Sequence, residues 1–454
     1  MLPKPISVDE RTQDAFPDQK TARMTGRVAG AVRSLGWGLA DQVLSSATNF
    51  LIVLLVARTL GPAEFGAFSL AYATYTLALG GNRALALDPL TVRYSATSPQ
   101  RSMAAIAAAT GTSLVGGIII GLISVVVAAL TGGSMGIAFA GLGLALPGLL
   151  LQDAWRFSFF ALGRGKQAFF NDLVWAVILL PAAALVIGTG RGSIATLIAV
   201  WAAAGWIAAA VGLLQSKVVP QPARAVEWLV DQSDLASRYF AEFAISSGGN
   251  QLSFFLIAIL TTLAEVGRLR AAQVMLGPLN ILFLGAGLVA VAETARFVAN
   301  ARNGLNHAVW TLSAMLTLGT VCWVGAALLI PESIGLWVMG RNWNGGRGLL
   351  VPLAIGTIGV SLSFGPMTGL RVLAAAQSSL RARLLDTAAV VMLSVTGAAT
   401  GGAAGAAWGY AAAGCLRIPN YWWHLHVAQR DRESPASSTH VVDATGVSMN
   451  KSSH

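Results

Sequence analysis

The chain has 454 residues, 55% of them hydrophobic and only 11% charged, and its mean hydropathy is positive. That leaves too little polar surface to cover a water-soluble domain and places the chain in a bilayer. Lys and Arg exceed Asp and Glu by ten, mostly in short segments between apolar runs, which reads as membrane topology and anionic headgroups rather than nucleic acid.

In chain order, residues 1–36 are polar, carry Lys4, Arg11, Lys20, Arg23, Arg27 and Arg33, and lack the apolar core and cleavage site of a secretory signal. A cytoplasmic tail is expected there. Apolar runs close to the ~20 residues that cross ~30 Å of hydrocarbon then follow. Six spans are expected at 37–57, 65–87, 103–130, 135–151, 169–187 and 194–214, and six more at 239–260, 271–291, 308–330, 349–373, 385–399 and 403–423. Residues 37–214 thus read as one six-helix bundle and 239–426 as another. Between them, 215–238 is a polar cytoplasmic linker with Pro220 and Pro222, and the Ser-rich tail 427–454 lacks an apolar pattern and is expected to be disordered.

The two bundles share a signature. Ser45, Ser46 and Asn49 lead to Ala63-Glu64-Phe65-Gly66, and Ser246, Ser247 and Asn250 lead to Ala264-Glu265-Val266-Gly267, with a constant offset of 201 that also carries Asp41 onto Glu242. Fixed-offset similarity in an apolar chain marks a transporter built from repeats, with its substrate path between them. The expected fold is therefore an all-α polytopic membrane protein of about twelve transmembrane helices in two six-helix repeats. Counting basic residues on alternate sides places Arg58, Arg191, Arg268, Arg270, Arg341 and Arg347 outside and the other twenty-four of thirty inside, so both termini are expected in the cytoplasm.

Asp41, Ser45 and Asn49 are spaced to share one stripe of a helix, and Glu242, Ser246 and Asn250 repeat it. Acids within a span cost roughly 2.5–3.5 kcal/mol and should face a bundle interior or a wet cavity. Alternatively, they sit at helix starts where the helix dipole favours them, with Asn and Ser as interhelical contacts. Glu64 and Glu265 read as loop-capping acids. Candidate cavity cations are Arg58, Arg83, Arg93, Arg268, Arg270, Arg296 and Arg371. Guanidinium suits phosphate oxygens, and their clustering on the first two helices of each half points to an anionic substrate, against snorkelling or local ion pairs. Pro147, Pro181, Pro278, Pro352 and Pro366 interrupt spans and supply kinks. Cys322 and Cys415 are expected as buried free thiols. The five histidines show no ligand spacing, so neither a metal nor a cofactor is expected, and no nucleophile–base pair or nucleotide fingerprint points to an enzyme.

Residues 45–70, SSATNFLIVLLVARTLGPAEFGAFSL, resemble the first helix and following loop of the polysaccharide-exporter branch, the O-antigen-type lipid-linked oligosaccharide flippases, of the multidrug/oligosaccharidyl-lipid/polysaccharide flippase superfamily. Residues 334–340 and 402–407 resemble that family's late segments. The resemblance implies a V-shaped pair of bundles opening alternately to either side of a bacterial inner membrane. It also implies a polyprenyl-diphosphate-linked glycan as substrate, membrane lipids as surroundings, and a glycan polymerase or glycosyltransferase as partner. A cation-coupled multidrug exporter, a membrane glycosyltransferase or polymerase, and a scaffold for glycan assembly are the alternatives.

Overall fold

The computed structural model describes residues 19–95, 97–300 and 304–433, and every regular element among them is helical. The first half comprises α1 (Gln19–Thr59), α2 (Pro62–Asn82), a π-helical turn (Arg83–Leu87), α3 (Asp88–Tyr94), α4 (Pro99–Thr131), α5 (Gly133–Ala161), α6 (Gly165–Gly188) and α7 (Ile194–Ser216). A short α8 (Ala225–Asp231) leads to the second half. There α9 (Ser233–Phe243) passes through a second π-helical turn (Ala244–Gly248) into α10 (Gly249–Leu260). It is followed by α11 (Leu263–Met275), α12 (Pro278–Asn300), α13 (Gly304–Leu329), α14 (Glu332–Met339), α15 (Asn342–Val372) and α16 (Ala376–Glu433).

The residues of the twelve expected spans are mainly helical, although 271–291 crosses the Leu276-Gly277 turn. Among the described residues, eight helices are long and apolar enough to cross a membrane, or nine when α11 and α12, bent by 53° to one another, count as one broken span. The break falls at Gly277-Pro278, where proline cannot donate the next helical hydrogen bond. The two expected spans 385–399 and 403–423 are the arms of α16, which turns at Gly401 and Gly402. Gly402 has φ +59°, a left-handed conformation open to glycine and strained for other residues.

Boundaries differ from expectation where charge dilutes hydropathy. With no proline between Gln19 and Thr59, α1 is one 41-residue helix, so residues 19–36 extend the first span. The fourth span, expected to end at 151, continues to Ala161 and buries Gln152, Asp153 and Arg156. The C-terminal helix runs to Glu433, past the expected tail boundary at 427; residues 1–18 and 434–454 of the expected tails lie outside the described residues. Cys322 and Cys415 are exposed, not buried; on a bundle whose outer face meets hydrocarbon, a thiol in an apolar span needs no protein cover. Large apolar side chains such as Leu122, Val126 and Leu130 on α4 are likewise exposed, as expected for a lipid-facing surface.

The two repeated turns meet. A Cβ added at Gly66 would overlap the Leu263 carbonyl oxygen, and one at Gly267 would overlap that of Pro62. Pro62 and Leu263 are themselves 201 residues apart, so the contact is reciprocal and only glycine permits it. At this end of the bundle, here the turn end, Asn342 Nδ2 donates to the carbonyls of Ala57 (2.6 Å) and Leu60 (2.8 Å). At the opposite, linker end, the Phe243 ring lies against Gly80, and Gln251 Nε2 donates to Thr76 Oγ1 at 2.7 Å. Trp228 of α8 donates to the Ala86 carbonyl at 3.3 Å, fastening the linker to the first half.

Candidate functional site

Between the halves lies a cavity of about 510 Å³ bordered by α1, α2, α5, α11 and α12. Three guanidinium groups line it, Arg83, Arg156 and Arg270, and no carboxylate does. A second cavity of about 460 Å³, within the second half, shares Arg270, Gln273 and Asn280 with the first. A third, of about 210 Å³, shares Asn250, Val360 and Arg417 with the second. Arg270 thus stands at the junction of the interface and the second half.

The three interface cations are held differently. Arg83 makes a two-point ion pair with Asp153 (Nε to Oδ2 2.8 Å, Nη2 to Oδ1 2.6 Å) and lies 5.1 Å from the Phe157 ring. Arg156 is buried. Its Nε donates to Asp41 Oδ2 at 2.6 Å and lies 3.5 Å from Asp172, while Nη2 donates to Gln42 at 3.2 Å. Asp172 also accepts from Gln152 at 2.7 Å. Both cations are therefore compensated by acids behind them, and buried ions require such partners. Arg270 has none. It touches Gln273 Oε1 at 3.3 Å, its guanidinium lies 5.6 Å from the Tyr72 ring, and its buried Nε has no hydrogen-bond partner.

Tyr72 links the two halves at this point. Its hydroxyl donates to Asn49 Oδ1 at 3.1 Å, and Asn49 Nδ2 donates to the Ser45 carbonyl at 2.9 Å. The stripe read from α1 and the cation read from α11 are thus joined through an aromatic ring. Gln42, Ser45, Ser46 and Asn49 all line the interface cavity, while Asp41 lies fully buried behind it. In the second half Asn250 lines the inner cavities, Glu242 is exposed, and the side chain of Ser246 lies outside the described residues.

Five expected cations do not line the cavities. Arg58 is exposed at the turn end, 4.9 Å from the Trp337 ring. Arg93 pairs with Asp234 and donates to Gln232 at 2.9 Å, tying α3 to the linker. Arg268 and Arg296 pair with Glu265 and Glu293 one turn away, and Arg371 is exposed at the end of α15. Glu64 caps its own helix by accepting from Gly61 N at 3.4 Å. Glu265 instead accepts from Ala403 N at 2.7 Å and caps the second arm of α16.

Arg156, Asp153 and Asp172 escaped the sequence reading, as did Tyr72, Arg417 and Asp386. An ion inside an apolar span is itself a signal, because insertion penalises it unless a partner waits nearby. Among the described residues no cluster of His, Cys, Asp and Glu is arranged to hold a metal.

No family model matches the chain, and no curated protein does. Solved structures do. Lipid II flippase MurJ in an inward closed conformation matches with 12% identity and a TM-score of 0.63 over 92% of this chain and 94% of that one. An outward-facing multidrug resistance MATE family transporter of the MOP superfamily matches with 12% identity and a TM-score of 0.56 over 88% and 96%. A MOP superfamily transporter from Pyrococcus furiosus matches with 13% identity and a TM-score of 0.55 over 88% and 96%. The fold is that of MOP superfamily transporters.

Proposed function

We propose that this chain is an alternating-access flippase that moves a polyprenyl-diphosphate-linked oligosaccharide from the cytoplasmic to the outer leaflet of a bacterial inner membrane. It crosses the membrane twelve times, as two six-helix halves related through Gly66 and Gly267, with both termini in the cytoplasm. The turn end is then the outer end and the linker end the inner one. The observation that carries the reading is Arg270, a guanidinium without a carboxylate partner at the meeting point of two polar cavities. Arg270 is half-buried with its Nε fully enclosed; a partly desolvated cation without a counterion is unfavourable, and an anionic ligand offsets that cost when bound. A diphosphate accepts charge-assisted hydrogen bonds in the fork geometry of guanidinium. The lipid tail stays in hydrocarbon, and the headgroup, which hydrocarbon rejects, crosses within the wet cavity. In this reading a glycan polymerase or glycosyltransferase acts on the delivered lipid.

The test is depletion in the native host followed by analysis of lipid-linked glycans in each leaflet. A finished lipid-linked glycan accumulating on the cytoplasmic side is the expected result; an unfinished precursor, or no change, refutes flipping.

A second reading, a cation-coupled multidrug exporter, is favoured by one observation. Asp41, Asp153 and Asp172 face only Arg83 and Arg156, and Asp41 Oδ1 has no partner, which leaves a carboxylate in excess to hold a coupling ion. Drug efflux by reconstituted protein, with no effect on lipid-linked glycans, would put this reading first.

A further inference from the structure

The two cavities of the second half carry more positive charge than a diphosphate at Arg270 accounts for. Arg417 Nε donates to Asp386 Oδ1 at 2.6 Å, both side chains being nearly buried. This pair borders both cavities through Arg417 and the third through Asp386. Arg383 lines the third cavity beside the Tyr421 hydroxyl and pairs with no carboxylate among the described residues. Across the second and third cavities, Arg270, Arg383 and Arg417 thus face Asp386 alone. The remaining lining combines Asn250, Gln273 and Asn280 with Tyr410, Phe254 and Phe283. Amides and an Arg–Asp pair match the alternating donors and acceptors of vicinal hydroxyls, and aromatic rings match the apolar faces of sugars.

Depth fixes the order of these groups. Glu265 on α11 accepts from Ala403 N on α16, so the two residues are level. Arg270 lies five residues beyond the first and Arg417 fourteen beyond the second, which at 1.5 Å per residue places Arg417 about 13 Å deeper towards the linker end. One pyranose ring attached to a diphosphate at Arg270 does not span that distance; an oligosaccharide does.

We propose that Arg383 and the Arg417–Asp386 pair, with Asn250 and Tyr421, form a glycan subsite for a sugar bearing an anionic substituent, a carboxylate or a phosphate ester, at least one ring beyond the diphosphate-linked sugar. This rests on the flippase reading above and narrows its substrate to acidic glycans. With Arg417 neutralised by Asp386, Arg383 is the cation that meets the anion. Asp386 and Asn250 take the neighbouring hydroxyls.

The experiment is binding by purified protein in nanodiscs, with four probes. They are farnesyl diphosphate alone, and the same diphosphate carrying a neutral disaccharide, a disaccharide ending in glucuronic acid, or one ending in a 6-phosphosugar. The glucuronic or phosphorylated probe should bind about tenfold more tightly than the neutral one, the size of one charge-assisted contact, and whichever of the two binds more tightly names the substituent. Arg383→Gln should abolish that preference and leave farnesyl diphosphate binding unchanged. The double variant Arg417→Gln/Asp386→Asn, which removes both members of that pair together, should weaken every sugar-bearing probe. Equal affinity of the wild type for neutral and acidic probes, or a preference that survives Arg383→Gln, overturns the subsite while farnesyl diphosphate still binds. Failure of all four probes to bind overturns the flippase reading and the subsite with it.

Discussion

The two halves of this transporter fold use arginine in opposite ways. In the first half, Arg83 and Arg156 are bound to Asp153, Asp41 and Asp172 on neighbouring helices, and the ions are largely used up inside the protein. In the second half, Arg270 and Arg383 border open cavities without a carboxylate partner among the described residues. The repeat makes the contrast sharper. Asp41 and Glu242 occupy equivalent places 201 residues apart, yet Asp41 is fully buried against Arg156 and Glu242 is exposed. A guanidinium answered by the protein holds helices together, and one left unanswered is free to meet a ligand.

Removing Arg156 should therefore have the largest structural effect. Arg156→Met leaves Asp41 and Asp172 buried beside no cation, and breaking such a pair costs about 3–5 kcal/mol. Thermal unfolding in detergent should fall accordingly, with partial recovery in Arg156→Gln/Asp41→Asn. Arg270→Gln should do the reverse. Stability should hold or rise because an uncompensated ion is gone, while binding of farnesyl diphosphate weakens roughly a hundredfold, about 2.7 kcal/mol. A loss of stability matching that of Arg156→Met would erase the distinction between the halves. Tyr72→Phe keeps the ring beside Arg270 but removes the hydrogen bond to Asn49, worth about 1 kcal/mol. A fall in probe affinity of roughly fivefold, measured by the same titration, would show that the first half positions the cation of the second.

What the sequence made legible was whatever local chemistry enforces. Apolar runs are required by the bilayer at every crossing, and the Glu64–Gly66 and Glu265–Gly267 turns repeat because a Cβ at either glycine collides with the facing carbonyl. Arg270 stood out as a cation at the opening of the eighth expected span. Its exceptional standing did not, because that depends on which other arginines are answered, and the answering acids are far away in the chain. Asp153 lies 70 residues from Arg83, and Asp41 lies 115 from Arg156. Those same ions lowered the local hydropathy enough to end the expected fourth span at 151, short of Asp153 and Arg156. Arg417 and Asp386 were inside expected spans and went unpaired because α16 folds back on itself at Gly402, a turn visible only in three dimensions.

The exposed cations should matter least, and they calibrate the rest. Arg58→Gln should behave like Arg191→Gln, since both are exposed at helix ends away from the cavities, and neither should change probe binding measurably. Arg93 and Asp234 offer a pH-dependent version of the same control. The Arg93 hydrogen bond holds the Asp234 carboxyl below its ordinary value. A carboxyl depressed in the folded state contributes stability above its unfolded pKa of about 3.9, and the contribution disappears as pH falls through the folded value. The melting temperatures of wild type and Asp234→Asn should thus differ slightly at pH 7 and low salt, and converge in strong acid or at high ionic strength, as befits a screened surface pair. A difference that persisted in high salt would mean that the α3–linker contact holds the linker end of the bundle more firmly than its exposure suggests, and that contact would then belong with the buried pairs of the first half.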